Sequence, residues 1–450
     1  MRSGRALLVL LVLALGLGAY IYFVESKRDV DAGTAKEKAF KIEPGKIQEL
    51  EIRASSGQTT KLKKTGDDWQ LVAPFAGVAD QGSSGSVASS LETLEIQRVL
   101  DEKASSFAQY GLDPAQSSVT FRASGDSTAH TLDLGNKTPT GSDLYARLDG
   151  QPRLLLISGF LQETFNRTTF DLRDKALLKF DRDAVDVITE EMPKTPKLVL
   201  TRKGTEWSVT EPIAARADLS PVDGIVSRVV TGVMTSVVKD DGAQPSAKEL
   251  QEYGLDTPQM VVTFGAGSSR AAIAIGKAKD AKNTYARDLS RPMIFTVDET
   301  LFGDLKREPG DVRVRDVFAF KAFSAQSLEV TTGGVTYAFT KMAPAAGDPN
   351  AAETWKQTKP TAKDLNATAT IDFLNTVSSL RATSFADKAI TSGDELAVLA
   401  RFDNKEERVI LRKAGAVAHA IRAGEPGAAV IPTAEFDKAV TTFKALTGGK

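Results

Sequence analysis

This chain carries one hairpin pattern twice, first as Leu62-Lys63-Lys64-Thr65-Gly66-Asp67-Asp68-Trp69 and again as Leu200-Thr201-Arg202-Lys203-Gly204-Thr205-Glu206-Trp207. In both copies a glycine lies three residues before the tryptophan. Glycine reaches the positive φ angles that tight hairpin turns need. Both stretches are therefore predicted to form a strand, a glycine turn and a second strand.

A third copy is marked by the last tryptophan, Trp355. Ahead of it lies the Pro/Ala/Gly-rich stretch 342–349, which predicts a longer hairpin loop. Surface loops absorb such insertions at little cost in free energy. Recurrence at a roughly constant interval indicates repeated structural units, so three tandem units are predicted.

Each tryptophan is followed by a short segment with a proline, after which a helix is expected. The helix caps are predicted at Gly82, Ser220 and Asn366. Apolar residues then recur at helical spacing: Val87, Leu91 and Leu94; Val222, Ile225, Val226, Val229, Val230, Val233 and Val237; Ile371, Leu374, Val377 and Leu380. The apolar side of each helix needs a sheet to cover it.

The second half of each copy predicts an antiparallel meander. A Tyr-Gly-Leu-Asp turn opens it at Tyr110 and again at Tyr253, and a Tyr-Ala-Arg strand follows in both copies. The third copy lacks this turn but keeps Ile421-Arg422. The fold class predicted from these patterns is α+β, with one N-terminal transmembrane helix followed by three repeats, each an antiparallel sheet packed with one or two helices.

The domain organisation follows from the same patterns. We predict a cytoplasmic start and membrane anchor over 1–28, a linker over 29–40, repeats over 41–179 and 180–318, and a divergent repeat over 319–450.

The N-terminal segment Ala6–Val24 carries no charge and follows Arg2 and Arg5. At about 1.5 Å per residue, a helix of this length matches the hydrocarbon core of a bilayer. The basic residues favour a cytoplasmic start. We predict a single-pass protein of the bacterial cytoplasmic (inner) membrane, with its bulk periplasmic or extracytoplasmic; cleavage of the segment as a signal peptide is the alternative.

Composition argues against several classes of function. With 57 Lys+Arg against 58 Asp+Glu, the formal net charge is -1, which gives no overall field to hold nucleic acid. The chain has no cysteine, which excludes disulfides and thiolate metal sites. The two histidines, His130 and His419, offer no metal-ligand spacing, and no cofactor is predicted.

The candidate site residues are the arginines Arg147, Arg287 and Arg422. A guanidinium on a strand can clamp a carboxylate of a ligand or partner, although a cross-strand ion pair favours arginine equally well. The three tryptophans are either core residues or a sugar-stacking platform. Ser236 and Lys239 have the Ser-x-x-Lys spacing of penicillin-recognising enzymes, but the chain order of the accompanying Lys-Thr-Gly element is wrong.

The N-terminal segment, the glycine hairpin with its tryptophan, the Tyr-Ala-Arg strand and the closing Leu-Arg-Asp-Lys element at Leu172–Lys175 together resemble a known bacterial family. It is the uncharacterised, membrane-anchored domain-of-unknown-function family found beside ABC transporters of the gliding-motility type. The resemblance implies a place in the cell envelope and association with ABC permease or ATPase subunits. It implies no activity and no catalytic residues.

The sequence therefore predicts a non-catalytic, membrane-anchored binding or scaffold protein, accessory to an ABC-type transport or gliding-type complex. Repeated modules offer an extended surface for such a role. A cell-envelope module that binds glycan or an adhesin is the alternative, and a periplasmic hydrolase is a third. The sequence does not set the oligomeric state.

Overall fold

The computed structural model describes residues 36–343 and 354–448. This part of the chain divides into two compact units, which meet in sequence between Lys175 and Ala176. The first unit holds one nine-stranded antiparallel sheet, and the second unit holds two more. We name each sheet with its helices the first, second and third repeat.

The first repeat orders its strands β4-β3-β2-β1-β6-β7-β8-β9-β5. Its elements are β1 (Ile47–Arg53), β2 (Thr59–Thr65), β3 (Asp68–Ala73), β4 (Gly77–Val78), α1 (Gln81–Glu92), β5 (Arg98–Asp101), a 3₁₀ turn (Ala108–Tyr110), β6 (Ser117–Ala123), β7 (His130–Lys137), β8 (Asp143–Leu148), β9 (Leu154–Ser158), α2 (Leu161–Phe165) and α3 (Thr169–Leu172).

The second repeat has the same strand order, β13-β12-β11-β10-β15-β16-β17-β18-β14. Its elements are β10 (Val187–Glu191), β11 (Leu198–Lys203), β12 (Glu206–Glu211), β13 (Ala215–Arg216), α4 (Leu219–Thr231), β14 (Ser236–Lys239), α5 (Ala247–Tyr253), β15 (Met260–Ala266), β16 (Ser269–Ala278), β17 (Asn283–Asp288), β18 (Ile294–Asp298) and α6 (Leu301–Leu305).

The third repeat again follows this order, β22-β21-β20-β19-β24-β25-β26-β27-β23. Its elements are β19 (Ala325–Thr332), β20 (Val335–Met342), β21 (Thr354–Lys359), β22 (Lys363–Asp364), α7 (Ala367–Ser378), β23 (Ser384–Ala386), β24 (Asp394–Phe402), β25 (Lys405–Ala414), β26 (Val417–Arg422), β27 (Ala428–Ile431) and α8 (Thr433–Thr447).

The predicted α+β class is wrong, because the structure is mostly sheet, with 42% strand against 19% helix. Short edge strands on both sides of the meander bring each sheet to nine strands, and a two-residue strand such as Gly77–Val78 leaves no periodic signal in the sequence. The transmembrane helix predicted over Ala6–Val24 lies outside the described residues. Among the described residues, no helix combines the length and apolarity that crossing a membrane requires.

The predicted hairpins are present in the first two repeats. Gly66 and Gly204 both adopt a φ of 64° at the turn. Each tryptophan pairs across the hairpin with a basic residue, in the pairs Lys64 with Trp69, Arg202 with Trp207 and Lys341 with Trp355. The loop of the third hairpin, 344–353, lies outside the described residues.

The helix caps differ from two of the three predicted positions. Asp80 and Asp218, rather than Gly82 and Ser220, cap α1 and α4 with side-chain carboxylates, while Asn366 caps α7 as predicted. Carboxylates near a helix N-terminus also interact favourably with the helix dipole. Helix α4 ends at Thr231, so the two valines of the predicted stripe beyond it, Val233 and Val237, are not helical.

The helices after Trp69 and Trp355 bury their apolar sides in the cores of their own repeats. In the first repeat, Val87 and Leu91 are fully buried in a core with Trp69, Phe121 and Leu155. Burial of one such aliphatic side chain stabilises the fold by about 1.5–3 kcal/mol. In the third repeat the longer helix α8 packs against α7 and adds three phenylalanine and leucine side chains to the core: Phe436, Phe443 and Leu446.

The Tyr-Gly-Leu-Asp turn packs against a neighbouring strand of the sheet, and we name the contact between its tyrosine and the strand tyrosine the tyrosine clasp. The ring centroids of Tyr110 and Tyr145 lie 4.8 Å apart. Gly135, which follows Leu132-Asp133-Leu134, has no side chain and so lets the turn approach this strand. A Cβ atom on Gly135 would lie 2.2 Å from the carbonyl oxygen of Tyr110. The second repeat has the same contact, with Tyr253 and Tyr285 at 4.7 Å.

The third repeat replaces the clasp with polar contacts. His419 stands where the other repeats have the strand tyrosine, since His419 pairs with Val430 as Tyr145 pairs with Leu156. The backbone N–H of Ile390 donates to Nδ1 of His419 at 3.1 Å. Ile390 lies between β23 and β24, so the equivalent segment of the third repeat contacts this strand without the Tyr-Gly-Leu-Asp sequence.

We expect Gly135→Ala to lower the free energy of unfolding of the first unit by about 1–3 kcal/mol, because the new methyl group collides with a backbone carbonyl. The measurement is denaturant unfolding of the full chain followed by Trp69 fluorescence, with the other two tryptophans replaced by phenylalanine. Gly85→Ala is the matched control. It lies inside α1 with open space around its Cβ position, and should stabilise by roughly 0.5–1 kcal/mol. Equal effects at both positions would contradict the clasp.

Candidate functional site

An apolar groove of about 390 Å³ opens on the third repeat, and we name it the repeat-3 groove. The turn before β19, strand β21 and helix α7 form its walls. Its main apolar lining residues are Ala322, Phe323, Trp355, Leu365, Ile371 and Leu374. Among the described residues, Lys341 is the one charged side chain of the lining.

The groove exposes large apolar side chains to solvent. Phe323 is 81% exposed and Ile371 is 55% exposed. Trp355 is only partly buried, whereas Trp69 and Trp207 are core residues at 4% and 8% exposure. The core interpretation of the tryptophans is therefore confirmed for the first two copies and differs in the third. Contiguous exposed apolar residues indicate a surface that binds another molecule.

The turn before β19 carries Phe323, whereas the other two repeats have a polar or a small residue at this position. Lys341 Nζ donates to the carbonyl oxygen of Phe323 at 3.2 Å, as Arg202 Nη2 donates to that of Asp183 at 2.7 Å in the second repeat. The register of the first strands aligns both positions with Gly45 in the first repeat. A glycine and an aspartate thus occupy the turn position that carries the exposed phenylalanine in the third repeat.

The helix side of the groove differs in the same way. Ile371 lies five residues after the N-cap Asn366, and Asp223 lies five residues after the N-cap Asp218. Asp223 accepts a hydrogen bond from Arg182 Nη2 at 2.6 Å, which joins turn and helix in the second repeat.

The third repeat has lost this ion pair. Ala322 immediately precedes Phe323, just as Arg182 immediately precedes Asp183. The pair Arg182–Asp223 therefore corresponds to Ala322 and Ile371, and both of these line the groove. The site was not predicted from the sequence, which placed Ile371 in the core-facing stripe. The available signal was the change from charged to apolar residues at matching positions of two copies.

Two of the predicted arginines make different contacts on equivalent strands. Arg147 forms a cross-strand ion pair with Asp133 at 2.9 Å and lies over the ring of Phe107. Arg287 donates to the side chain of Gln244 at 2.7 Å. The cross-strand ion pair that was the alternative to a ligand clamp is thus present at Arg147, and partner binding by these residues stays a prediction.

Arg422 is not the counterpart of the other two arginines. Ala420 aligns with the alanine of Tyr-Ala-Arg through its cross-strand partner, so the residue matching Arg147 is Ile421. Arg422 instead forms an ion pair with the buried Glu407 at 2.7 Å and donates to the carbonyl oxygen of Val317. The sequence alignment of the divergent copy was one residue out of register.

His130, one of the two histidines of the chain, contacts two carboxylates. Nδ1 of His130 lies 3.1 Å from Asp149 and Nε2 lies 3.1 Å from Asp126. A Ser-His-Asp triad needs one histidine ring nitrogen to face the serine nucleophile, whereas both ring nitrogens of His130 face carboxylates. Burial lowers the pKa of His130, but the two carboxylates outweigh it, and the net pKa is raised. Within residues 36–343 and 354–448, no group of three or more acidic or histidine side chains is placed to hold a metal ion.

Comparison with known families gives one result. The family described as "Domain of unknown function (DUF4340)" matches residues 69–208 and 207–398, which together span more than half of the chain. Both matched segments begin at a hairpin tryptophan, Trp69 or Trp207. The chain belongs to this family. No curated protein matches it.

Proposed function

We propose that this member of the DUF4340 family is a non-catalytic binding protein, which uses the repeat-3 groove to hold an apolar segment of a partner protein. The observation that carries the proposal is the replacement of the Arg182–Asp223 ion pair by Ala322 and Ile371, next to an 81% exposed phenylalanine. Water contact with an exposed phenylalanine ring is unfavourable, so binding of a partner that covers the ring is stabilised by the burial of apolar surface.

The chemistry of the groove specifies the kind of segment that fits. A volume of about 390 Å³ accepts a few apolar side chains. Phe323 and Trp355 are the large aromatic residues that supply much of the binding free energy at protein interfaces. Lys341 adds one positive charge to the lining. We therefore propose an amphipathic segment with an apolar row and an acidic residue beside it.

The proposed partner is a subunit of an ABC-type transport or gliding-type complex, for which this protein is an accessory. The support for this choice is the resemblance of the sequence. The proposed location is the extracytoplasmic side of the bacterial inner membrane, supported by the uncharged segment Ala6–Val24 that follows Arg2 and Arg5. Extraction of native membranes with alkaline carbonate tests it, because release of the protein into the supernatant would contradict an anchor.

The test of the groove restores the polar pair of the second repeat. We expect Ala322→Arg with Ile371→Asp to close the groove and to reduce recovery of ABC permease or ATPase subunits by about tenfold or more, since loss of an interface hot spot costs about 2 kcal/mol. The measurement is crosslinking in native membranes, affinity purification of the full-length protein and identification of the transporter subunits by mass spectrometry.

Phe323→Asp, which introduces the residue of the second repeat, should have the same effect. The matched control is Phe160→Asp in the first repeat, a phenylalanine that is 75% exposed and lies outside the groove. Unchanged recovery of transporter subunits with the Ala322→Arg, Ile371→Asp variant would contradict partner binding in the groove. An equal loss of recovery with Phe160→Asp would contradict it too.

A glycan-binding module of the cell envelope is the second candidate, because the partly buried Trp355 offers a ring face for a sugar. Cosedimentation with purified wall material distinguishes the two. Binding of wall material that Trp355→Ala abolishes, without recovery of transporter subunits, would favour the glycan.

A further inference from the structure

Three guanidinium groups converge in the second unit at the junction of the second and third repeats. Arg216 lies on the two-residue strand β13, and Arg313 pairs through its backbone with the next residue, Ala217. Arg422 ends strand β26. The fold thus brings together positive charges from distant parts of the sequence. None of the three is a lining residue of the repeat-3 groove.

Two carboxylates are shared among these three arginines. Glu425 lies 2.8 Å from Arg216 Nε, 3.4 Å from Arg313 Nη2 and 3.6 Å from Arg422 Nε. Glu407 pairs with Arg422. The cluster therefore carries one more positive than negative charge. A third carboxylate nearby, Asp316, pairs with Lys321 and Arg381 instead: these pairs measure 3.1 Å each.

Two buried donors of the cluster have no acceptor among the described residues. They are the Nε atoms of Arg313 and Arg422. Arg313 is only 5% exposed, and its guanidinium lies 3.9 Å from the ring centroid of Phe385. A buried N–H without an acceptor costs free energy, and a buried excess charge costs more. An acceptor with a negative charge in the cavity would offset both costs.

The cavity beside these groups is small. Its volume is about 20 Å³, and Arg216, Arg313, Phe385, Arg422, Glu425 and Gly427 contribute to its lining. This volume holds about one water molecule or one small ion. We propose that the cavity binds a single halide ion, chloride under ordinary conditions, which accepts from the arginine N–H groups and neutralises the excess charge between the second and third repeats.

The test compares anions at constant ionic strength. The full-length protein in neutral detergent is unfolded thermally in sodium chloride, sodium bromide and sodium gluconate, because gluconate is a much larger anion than either halide. We expect chloride and bromide to raise the unfolding midpoint of the second unit by about 2–4 °C over gluconate, with saturation. Arg422→Leu, which introduces the leucine of the first repeat, should remove this difference. Arg401→Leu, a surface arginine of the same repeat, should retain it.

A second measurement covers the case in which Arg422→Leu fails to fold. Crystals of the wild-type protein grown in bromide should show an anomalous peak in the cavity beside Arg313 and Arg422. A wild-type midpoint that is the same in chloride and gluconate, or a bromide crystal without that peak, overturns the proposal and assigns the cavity to water.

Discussion

Replacement of Glu425 by alanine is expected to lower the free energy of unfolding of the second unit by about 3–5 kcal/mol. Glu425 is the carboxylate that faces Arg216, Arg313 and Arg422, and its side chain is only 18% exposed. Its removal leaves Arg216 and Arg313 without a carboxylate partner among the described residues, while Arg422 keeps Glu407. Uncompensated buried charge is among the most destabilising changes in a folded protein.

The measurement is denaturant unfolding of the full chain in a Trp69→Phe background. Trp207 and Trp355 then report on the second unit, which contains both. The slope of the transition should be unchanged while its midpoint falls. Glu425→Gln keeps an acceptor but loses the charge, and it should lie between the wild type and Glu425→Ala.

Glu406→Ala is the matched control in the same repeat. Glu406 is 54% exposed, and its partner Arg401 keeps a second carboxylate, Glu329. An exposed pair of this kind contributes little to stability. If Glu425→Ala destabilised the protein no more than Glu406→Ala, neutralisation of the three arginines by Glu425 would not be important for stability.

The second large effect is a pH dependence of the stability of the second unit, which we expect from Glu190, a carboxylate in the middle of the second sheet. Its register position is apolar in the other two repeats, where Ile52 and Val330 pair with equivalent valines of the neighbouring strand. Glu190 is 4% exposed and accepts from the backbone N–H of Arg307 at 3.2 Å. Burial raises the pKa of Glu190 to about 7, and the Arg307 N–H offsets only part of the effect.

A raised pKa makes the second unit less stable as the pH rises. The unfolded chain releases the Glu190 proton near pH 4.5 and the folded chain near pH 7, so the folded state binds more protons between these values. The contribution of Glu190 should therefore be favourable below about pH 4.5, fall by about 3 kcal/mol between pH 4.5 and 7, and stay constant above that.

Two substitutions isolate this contribution. Glu190→Gln keeps a hydrogen-bond acceptor for Arg307 and should remove the dependence on pH between 4.5 and 7. Glu190→Val, the residue of the third repeat, should be more stable than the wild type at pH 8 by roughly 2–3 kcal/mol, because no charge is buried. Parallel stability curves of wild type and Glu190→Gln across this pH range would contradict a buried titrating carboxylate.

Several local elements were predictable because their determinants are close in sequence. Gly66 and Gly204 lie at positive φ in hairpin turns, and the spacing of Val222, Ile225 and Val229 matches the buried side of α4. Such signals depend on backbone preferences and on periodicity within a few residues. The short edge strands carry no such signal, which is why the balance of helix and sheet was wrong.

The repeat-3 groove and the arginine cluster were not predictable by the same means. Helical spacing assigned Ile371 to the core, but its side chain lies on the exposed side because α8 and the sheet cover the other side of α7. Arg422 was aligned with Arg147 from sequence alone, whereas strand pairing aligns Ile421 there. Both errors involve side chains whose surroundings come from distant segments.

The sequence by itself determined the three-fold repetition of the hairpin, the helix after each tryptophan and the glycines of the hairpin turns, because these depend on local backbone conformation and periodicity. The tertiary structure alone decided which apolar side chains remain exposed, which copy loses its closing ion pair and where Arg216, Arg313 and Arg422 meet. Burial and electrostatics depend on distances between segments far apart in the chain, and those distances exist only once the sheets have formed.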